Sequence, residues 1–219
     1  MAEPRLLRCG ARGVLVELDG LPQVLALALA VRSAAATCLP GFTEVVDVVP
    51  AATTVLIIVG DGGDLAPLRR ELPRLAVAAS ATTARPIDHG DVETVEIGVH
   101  YDGPDLDNIA AVTGLTRHEV IGAHTATTWQ VAFGGFVPGF AYLVGGDDRL
   151  QVPRRSEPRT TVPAGSVALA GEFSAVYPRS SPGGWQLLGH TDAVLWDVDR
   201  DPPALLRPGV AVRFVELDS

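Results

Sequence analysis

The run from Phe133 to Thr191 reads FGGFVPGFAYLVGGDDRLQVPRRSEPRTTVPAGSVALAGEFSAVYPRSSPGGWQLLGHT. Its punctuation decides the fold. Short apolar runs (FAYL, SVALA, AVYP, WQLLG) alternate with clusters of Gly and Pro. Gly opens positive φ and lets a ligand or a second backbone come close. Pro fixes φ and removes a donor, so it belongs at strand ends and turns. With WQVAF before the run and AVLWDV and AVRFVEL near or after its end, the pattern predicts a closed or nearly closed barrel of many short strands. The aromatics Phe133, Phe136, Phe140, Tyr142, Phe173, Tyr177 and Trp185 sit beside the breaks. Arg154, Arg159 and Arg179 each follow a proline. A guanidinium can grip a carboxylate or phosphate at two points, so the composition fits a pocket with rigid rims and a few cationic forks. Any small barrel needs such corners, and a purely structural reading stays open on composition alone.

Upstream the grammar changes. Residues 5–18 predict a strand, a Gly turn and a second strand. A helix follows over 21–38, with Pro22 in its first turn and apolar residues nearly all round, so both faces are expected to be covered. Strands are predicted at 44–49 and 54–59, then a helix from Leu65 to about Leu75, capped by Asp64 and kinked or ended by Pro73. A further strand would complete a ferredoxin-like pattern. GDGGD at 60–64 lacks the P-loop lysine and EF-hand spacing and reads as a turn. A linker is placed at 78–91, dividing the chain into a domain of residues 1–85 and one of residues 86–219. The second opens with a strand at 92–101. Two short helices follow, one capped by Asp105 and ending at Gly114, one opened by the capping box Thr116–Glu119 and reaching about His124. The expected class is therefore α+β.

Composition excludes several functions. The chain has 219 residues and a net charge of −9, which argues against a nucleic-acid surface, for this helix pair as for the rest. All 17 basic residues are arginine. Without lysine there is no Walker lysine, no Schiff base and no Ser-Lys dyad. No apolar run is long enough to span a membrane. The start, MAEPRLLRCG, lacks a signal-peptide pattern, so a cytoplasmic location is expected. Cys9 and Cys38 are expected as buried, reduced thiols.

Candidate chemistry is sparse. His124 and His190 flank the central run and could act as bases at the barrel mouth. His89, His100 and His118 lack supporting context and read as surface residues. No pair of His has metal spacing, so no metal site is expected. Ser166 in PAGSVAL does not match a nucleophile elbow, and a turn that binds an anion fits it better. Glu157 and Glu172 read as solvated loop residues.

The segments GFVPGFAYL, VPRRSEPRTTVPAGSVALAG, VYPRSSPGGWQLLGHT and LLRPGVAVRFV resemble the family called allophanate hydrolase subunit 1, the kinase-A inhibitor (KipI) family or the 5-oxoprolinase B-subunit. VHYDGPDLDNIAAVTGL and HTATTWQVAFGGF match it too. The resemblance covers about residues 5–217 and implies a cyclophilin-like C-terminal β-barrel. It implies a partner, allophanate hydrolase subunit 2 or the 5-oxoprolinase C-subunit, and with a third subunit the ATP-dependent opening of the lactam 5-oxoproline to glutamate. ATP with Mg would be shared with the partner subunits. Carried over by position, Pro138, Gly139, Phe140 and Tyr142 would form one wall. Arg154, Arg159, Gly165 and Ser166 would form the polar side that holds substrate or phosphate, and Gly183, Gly184, Trp185 and His190 the closing turn. His190 and His124 are the catalytic candidates. Where relatives read Gln-Thr, this chain has Phe173-Ser174; if that Gln touches substrate, the departure implies changed specificity or lost activity. The alternatives are inhibition of a histidine kinase and half of a biotin-dependent, urea carboxylase-like carboxyltransferase. The latter would need a separate biotin carrier, because this chain has no lysine to carry biotin.

Overall fold

The computed structural model describes residues 4–81 and 93–218. Two compact units divide the chain, residues 1–88 and 89–219. The expected boundary at 85/86 and His89 lie outside the described residues.

In the first unit, β1 (Arg5–Cys9) and β2 (Gly13–Glu17) form a hairpin, followed by α1 (Leu21–Ala36), β3 (Val45–Pro50), β4 (Thr54–Val59) and α2 (Leu65–Ser80). The sheet order is β1-β2-β4-β3, antiparallel throughout. Strands β2, β4 and β3 with their helices reproduce the ferredoxin-like crossover. The flank beside β2, where the pattern calls for a strand after α2, is taken by β1. Helix α1 buries Leu21, Val24, Leu27, Ala28, Val31 and Ala34 along one face. Its opposite face, expected beneath a neighbour, leaves Leu29 70% exposed. Asp64 caps α2 by accepting the Ala66 N–H. Pro73 does not end this helix, because Leu68, Leu72, Ala76 and Ala79 keep a buried stripe running past it. The start of the expected linker is therefore helical; the rest, 82–91, lies outside the described residues. Cys9 and Cys38 are free but exposed, not buried.

The second unit opens with β5 (Thr94–Val99), α3 (Leu106–Thr113) and α4 (Arg117–Ala126). It continues with β6 (Trp129–Gly134), β7 (Ala141–Val144), a 3-10 turn (Asp148–Leu150), β8 (Arg159–Val162), β9 (Ser166–Ala170), β10 (Phe173–Val176), β11 (Ser181–Gly183), β12 (Gln186–His190) and β13 (Ala211–Glu216). Seven strands form one sheet in the order β12-β9-β10-β7-β6-β13-β5, while β8 and β11 pair separately. The two edge strands of the large sheet meet through the His100–His190 bridge, with an N–H···O bond of 2.9 Å in each direction. That seam makes the sheet a nearly closed barrel, as the punctuation predicts. The run 193–198, expected as a strand, is irregular. Asp197 accepts the Asp199 N–H and bends the chain locally, leaving Val194 and Val198 exposed.

Strand alternation sorts the side chains onto two faces. Val99, Val131, Leu143, Val167, Leu169, Val176, Leu188 and Phe214 form the main core with Leu106 and Ile109 of α3 and Val120 of α4. The opposite face carries Phe140, Ala168, Ala170, Ala175, Tyr177, Trp185 and Leu187, with Tyr142 and Phe173 packed on them. Small alanines on β9 and β10 leave room for the aromatic rings above them.

Candidate functional site

The aromatic face gathers several of the residues expected from sequence. Phe140, Tyr142 and Trp185 meet edge to face, with centroids 5.2–5.6 Å apart, a geometry favoured by ring quadrupoles. Tyr177 joins Phe140 at 5.3 Å. The Arg154 guanidinium lies over the Trp185 ring, 5.9 Å from its centroid. Gly183 is required here: a Cβ would come within 2.4 Å of the Tyr177 hydroxyl oxygen. The Gly184 carbonyl accepts the Arg155 N–H at 2.8 Å and so anchors the arginine loop. Burial pushes the Tyr177 hydroxyl above its ordinary value, against the opposing pull of Arg154 and of the Trp185 backbone.

Arg159, expected on the polar side, is tied down by a carboxylate, while its Nη1 has no hydrogen-bond partner among the described residues. Its Nη2 and the Nη1 of Arg155 both donate to Asp105 Oδ1 at 2.8 Å. Asp105 Oδ2 accepts the Leu187 N–H, also at 2.8 Å. Asp105 is only 3% exposed. Burial alone would raise its pKa, but the Arg159 hydrogen bond, the Leu187 N–H and the two cationic charges outweigh it and hold the carboxyl low. Asp105 precedes α3, yet its side chain makes no cap bond. The expected cap is a buried counter-ion instead, because two guanidiniums outcompete one backbone N–H. The pairing of Asp105 with Arg155 is not marked by local sequence, since 50 residues separate them. Arg154, in contrast, is exposed and makes no ion pair with any described residue.

Register extends this face to the seam. The Tyr177 N–H donates to the Ser166 carbonyl at 2.9 Å, and Ser166 is paired with His190 on β12. Directly opposed residues of antiparallel strands share a face, so Tyr177, Ser166 and His190 form one row. Gly165, at φ +78°, ties the row together: its N–H donates to the Tyr177 carbonyl and its own carbonyl accepts the Thr191 N–H. His190 is half-exposed; its Nδ1 lies 2.9 Å from Asp102 Oδ1 and its ring stacks on His100 at 5.1 Å. His100, read from sequence as an isolated surface residue, belongs to this cluster.

Of the other expected members, the Pro138–Gly139 turn borders the aromatic face through Phe136, whose ring meets Phe140 at 5.3 Å, and His124 lies apart. Pro138 and Gly139 occupy the β6–β7 turn, where a Cβ on Gly139 would meet Trp196 Cβ at 2.8 Å. That turn presents Phe136, in the left-handed region at φ 63° and 57% exposed. His124 is not at the mouth. It is fully buried between Tyr101, 2.7 Å from Nδ1, and Ser174, 2.9 Å from Nε2, and stacks on Phe214. Burial pushes its pKa down to about 3. Both ring nitrogens are therefore committed inside the core. The Phe173-Ser174 departure is divided by the same alternation: Ser174 serves His124, while Phe173 packs edge to face on Tyr142 at 5.5 Å.

An α+β chain with a nearly closed barrel and a polar row on one face defines a class, and comparison names it. The chain belongs to the family of carboxyltransferase domains, subdomains C and D, which matches residues 4–206. Within that class it is similar to the 5-oxoprolinase B-subunit of Bacillus subtilis, with 37% identity over 81% of this chain and 77% of that protein. It is 51% identical to the 5-oxoprolinase B-subunit of Escherichia coli O157:H7 over 55% of this chain and 57% of that protein, so the match spans little more than half of that relative. Among solved structures, a conserved uncharacterized protein from Pyrococcus horikoshii aligns at a TM-score of 0.57 and 30% identity over 98% of both chains. The Kluyveromyces lactis urea carboxylase aligns at 0.71 over 98% of this chain and 22% of its own, at 17% identity, which shows the shared fold.

Proposed function

We propose that this chain is one subunit of an ATP-dependent lactam hydrolase that opens 5-oxoproline to glutamate. The observation that carries the reading is Arg154, without an ion-pair partner among the described residues, lying over Trp185 on a face walled by Phe140, Tyr142 and Tyr177. A five-membered lactam has a flat apolar ring and one carboxylate. The aromatic wall suits the ring and Arg154 suits the carboxylate. Arg159 and Arg155, held by Asp105, fix the loop that presents Arg154. The names of the 37–51% identical relatives support the substrate and the subunit role. His190, at the end of the row, is the base candidate on this face.

Lactam carbonyls are poor electrophiles, and ATP would supply activation by phosphorylating the carbonyl oxygen. The chain has no lysine to grip a phosphate. We assign the nucleotide to a C-subunit partner or a third subunit, and activity to the assembled complex.

The test compares two lactams in that complex. Arg154→Ala is expected to raise the KM for 5-oxoproline about 10- to 100-fold, the worth of one charge-assisted carboxylate contact. It should leave the use of 2-pyrrolidinone, the same ring without the carboxylate, within about threefold. An equal effect on both would remove Arg154 from carboxylate recognition. A second reading, carboxyl transfer to or from a cyclic urea, is favoured by the family match itself; biotin-dependent carboxylation by the same complex would establish it.

A further inference from the structure

We propose that Asp102 is a positioning residue that holds the His190 imidazole with Nε2 free to accept a proton at the rim of the aromatic face. The proposal rests on the lactam-opening reading for what the base acts on, and on geometry for the rest.

Three features fix the ring. His190 Nδ1 lies 2.9 Å from Asp102 Oδ1. A carboxylate only accepts, so Nδ1 carries the hydrogen and the Nε2 lone pair is left free. The His100 ring, stacked at 5.1 Å with planes 25° apart, sets the plane of the imidazole. The segment carrying His100 and Asp102 is clamped along β12. Gly103 N–H donates to the Leu188 carbonyl at 3.0 Å, and Asp105 N–H donates to the Leu187 carbonyl at 3.2 Å. The approach is so close that a Cβ on Gly103 would lie 2.3 Å from the Leu187 carbonyl oxygen, and one on Gly189 2.0 Å from that of His100. The pair therefore sits on a rigid seam, although both side chains are open to solvent. Register places His190 on the face of Ser166 and Tyr177, the same face as the aromatic wall and Arg154.

The step it serves takes one proton and returns it. A water O–H bond breaks, its proton going to Nε2, as the oxygen bonds to the carbon of the O-phosphorylated lactam, which keeps its N–H, and the C=N π pair moves onto nitrogen. Nε2–H then protonates that nitrogen. The ring C–N bond breaks with its pair on nitrogen, and the new hydroxyl oxygen forms the carbonyl as its proton passes to solvent. The product is an acyl phosphate, whose hydrolysis releases phosphate and the second carboxylate.

Two readouts test this separately. The first is ¹⁵N NMR of histidine-labelled protein at about pH 8.5, where imidazoles are neutral. The proposal requires the Nδ1–H tautomer at His190 in the wild type, and a shift to Nε2–H, the form preferred by a free histidine side chain, in Asp102→Ala. Nε2–H in the wild type, or no change in the variant, overturns the proposal whatever the substrate. The second is turnover by the assembled complex. Asp102→Ala should lower kcat about 10- to 100-fold, a part of what general-base catalysis supplies. KM should stay within about threefold, and Asp102→Glu should restore part of the rate. Unchanged kcat overturns the role of the pair. A wild-type complex with the required tautomer but no 5-oxoproline turnover overturns the lactam reading and leaves the assignment of Asp102 to His190 supported by the NMR arm.

Discussion

His124 shows how an identical residue type can lead to opposite chemistry at two places in one barrel. The sequence marks it only by its position before the central run, as it marks His190 by its position at the end. Burial and bonds to Tyr101 and Ser174 make His124 a neutral core residue, whereas His190 keeps an open ring beside Asp102. The difference is set by α4 turning His124 inward, which residue identity does not announce. It has a consequence for stability. The folded imidazole titrates near 3 against an ordinary 6.5. Between those values the unfolded chain binds a proton that the folded chain does not, so stability is full above 6.5 and falls as pH drops toward 3. At about pH 5 the loss from this one group is roughly 2 kcal/mol. His124→Gln should be less stable than the wild type at neutral pH yet show a flatter decline, the two curves converging on acidification in urea melts at several pH values. Parallel curves would mean that His124 is not held neutral.

At the scale of elements, what is legible is what is local. The capping box of α4 is present with both of its bonds, and most strands lie where short apolar runs meet Gly and Pro. The pair β8 and β11 escapes a sequence reading because TTV and SPG carry too little apolar pattern, and the 193–198 run misleads because alternation there is overridden by an aspartate turn. The anchoring of the arginine loop by Asp105 is illegible for another reason: its partners come from elements brought together only by the sheet. The glycines also divide on physical grounds. Gly189→Ala puts a methyl group against the His100 carbonyl at the barrel seam and should destabilise by about 2–3 kcal/mol. Gly122→Ala, in helix α4 with nothing within 4 Å of the new atom, should stabilise by about 0.5–1 kcal/mol. Urea denaturation of the two variants measures both, and a tolerated Gly189→Ala would contradict the closed seam.

For the whole molecule, the family and the α+β class with its nearly closed barrel are readable because the motifs from 98 to 214 are long and specific. The reaction is less readable, because on the proposed reading the groups that hold ATP belong to other subunits. On the proposed reading this chain is a component whose aromatic–arginine face is one part of a shared active site. The most direct test is 5-oxoproline-dependent ATP hydrolysis, measured with this chain alone, with a C-subunit partner alone, and with the full set of subunits. The expected result is turnover in the full mixture and none from the isolated chain. Turnover by the isolated chain, or an assembled complex that hydrolyses no ATP in response to 5-oxoproline, would contradict it.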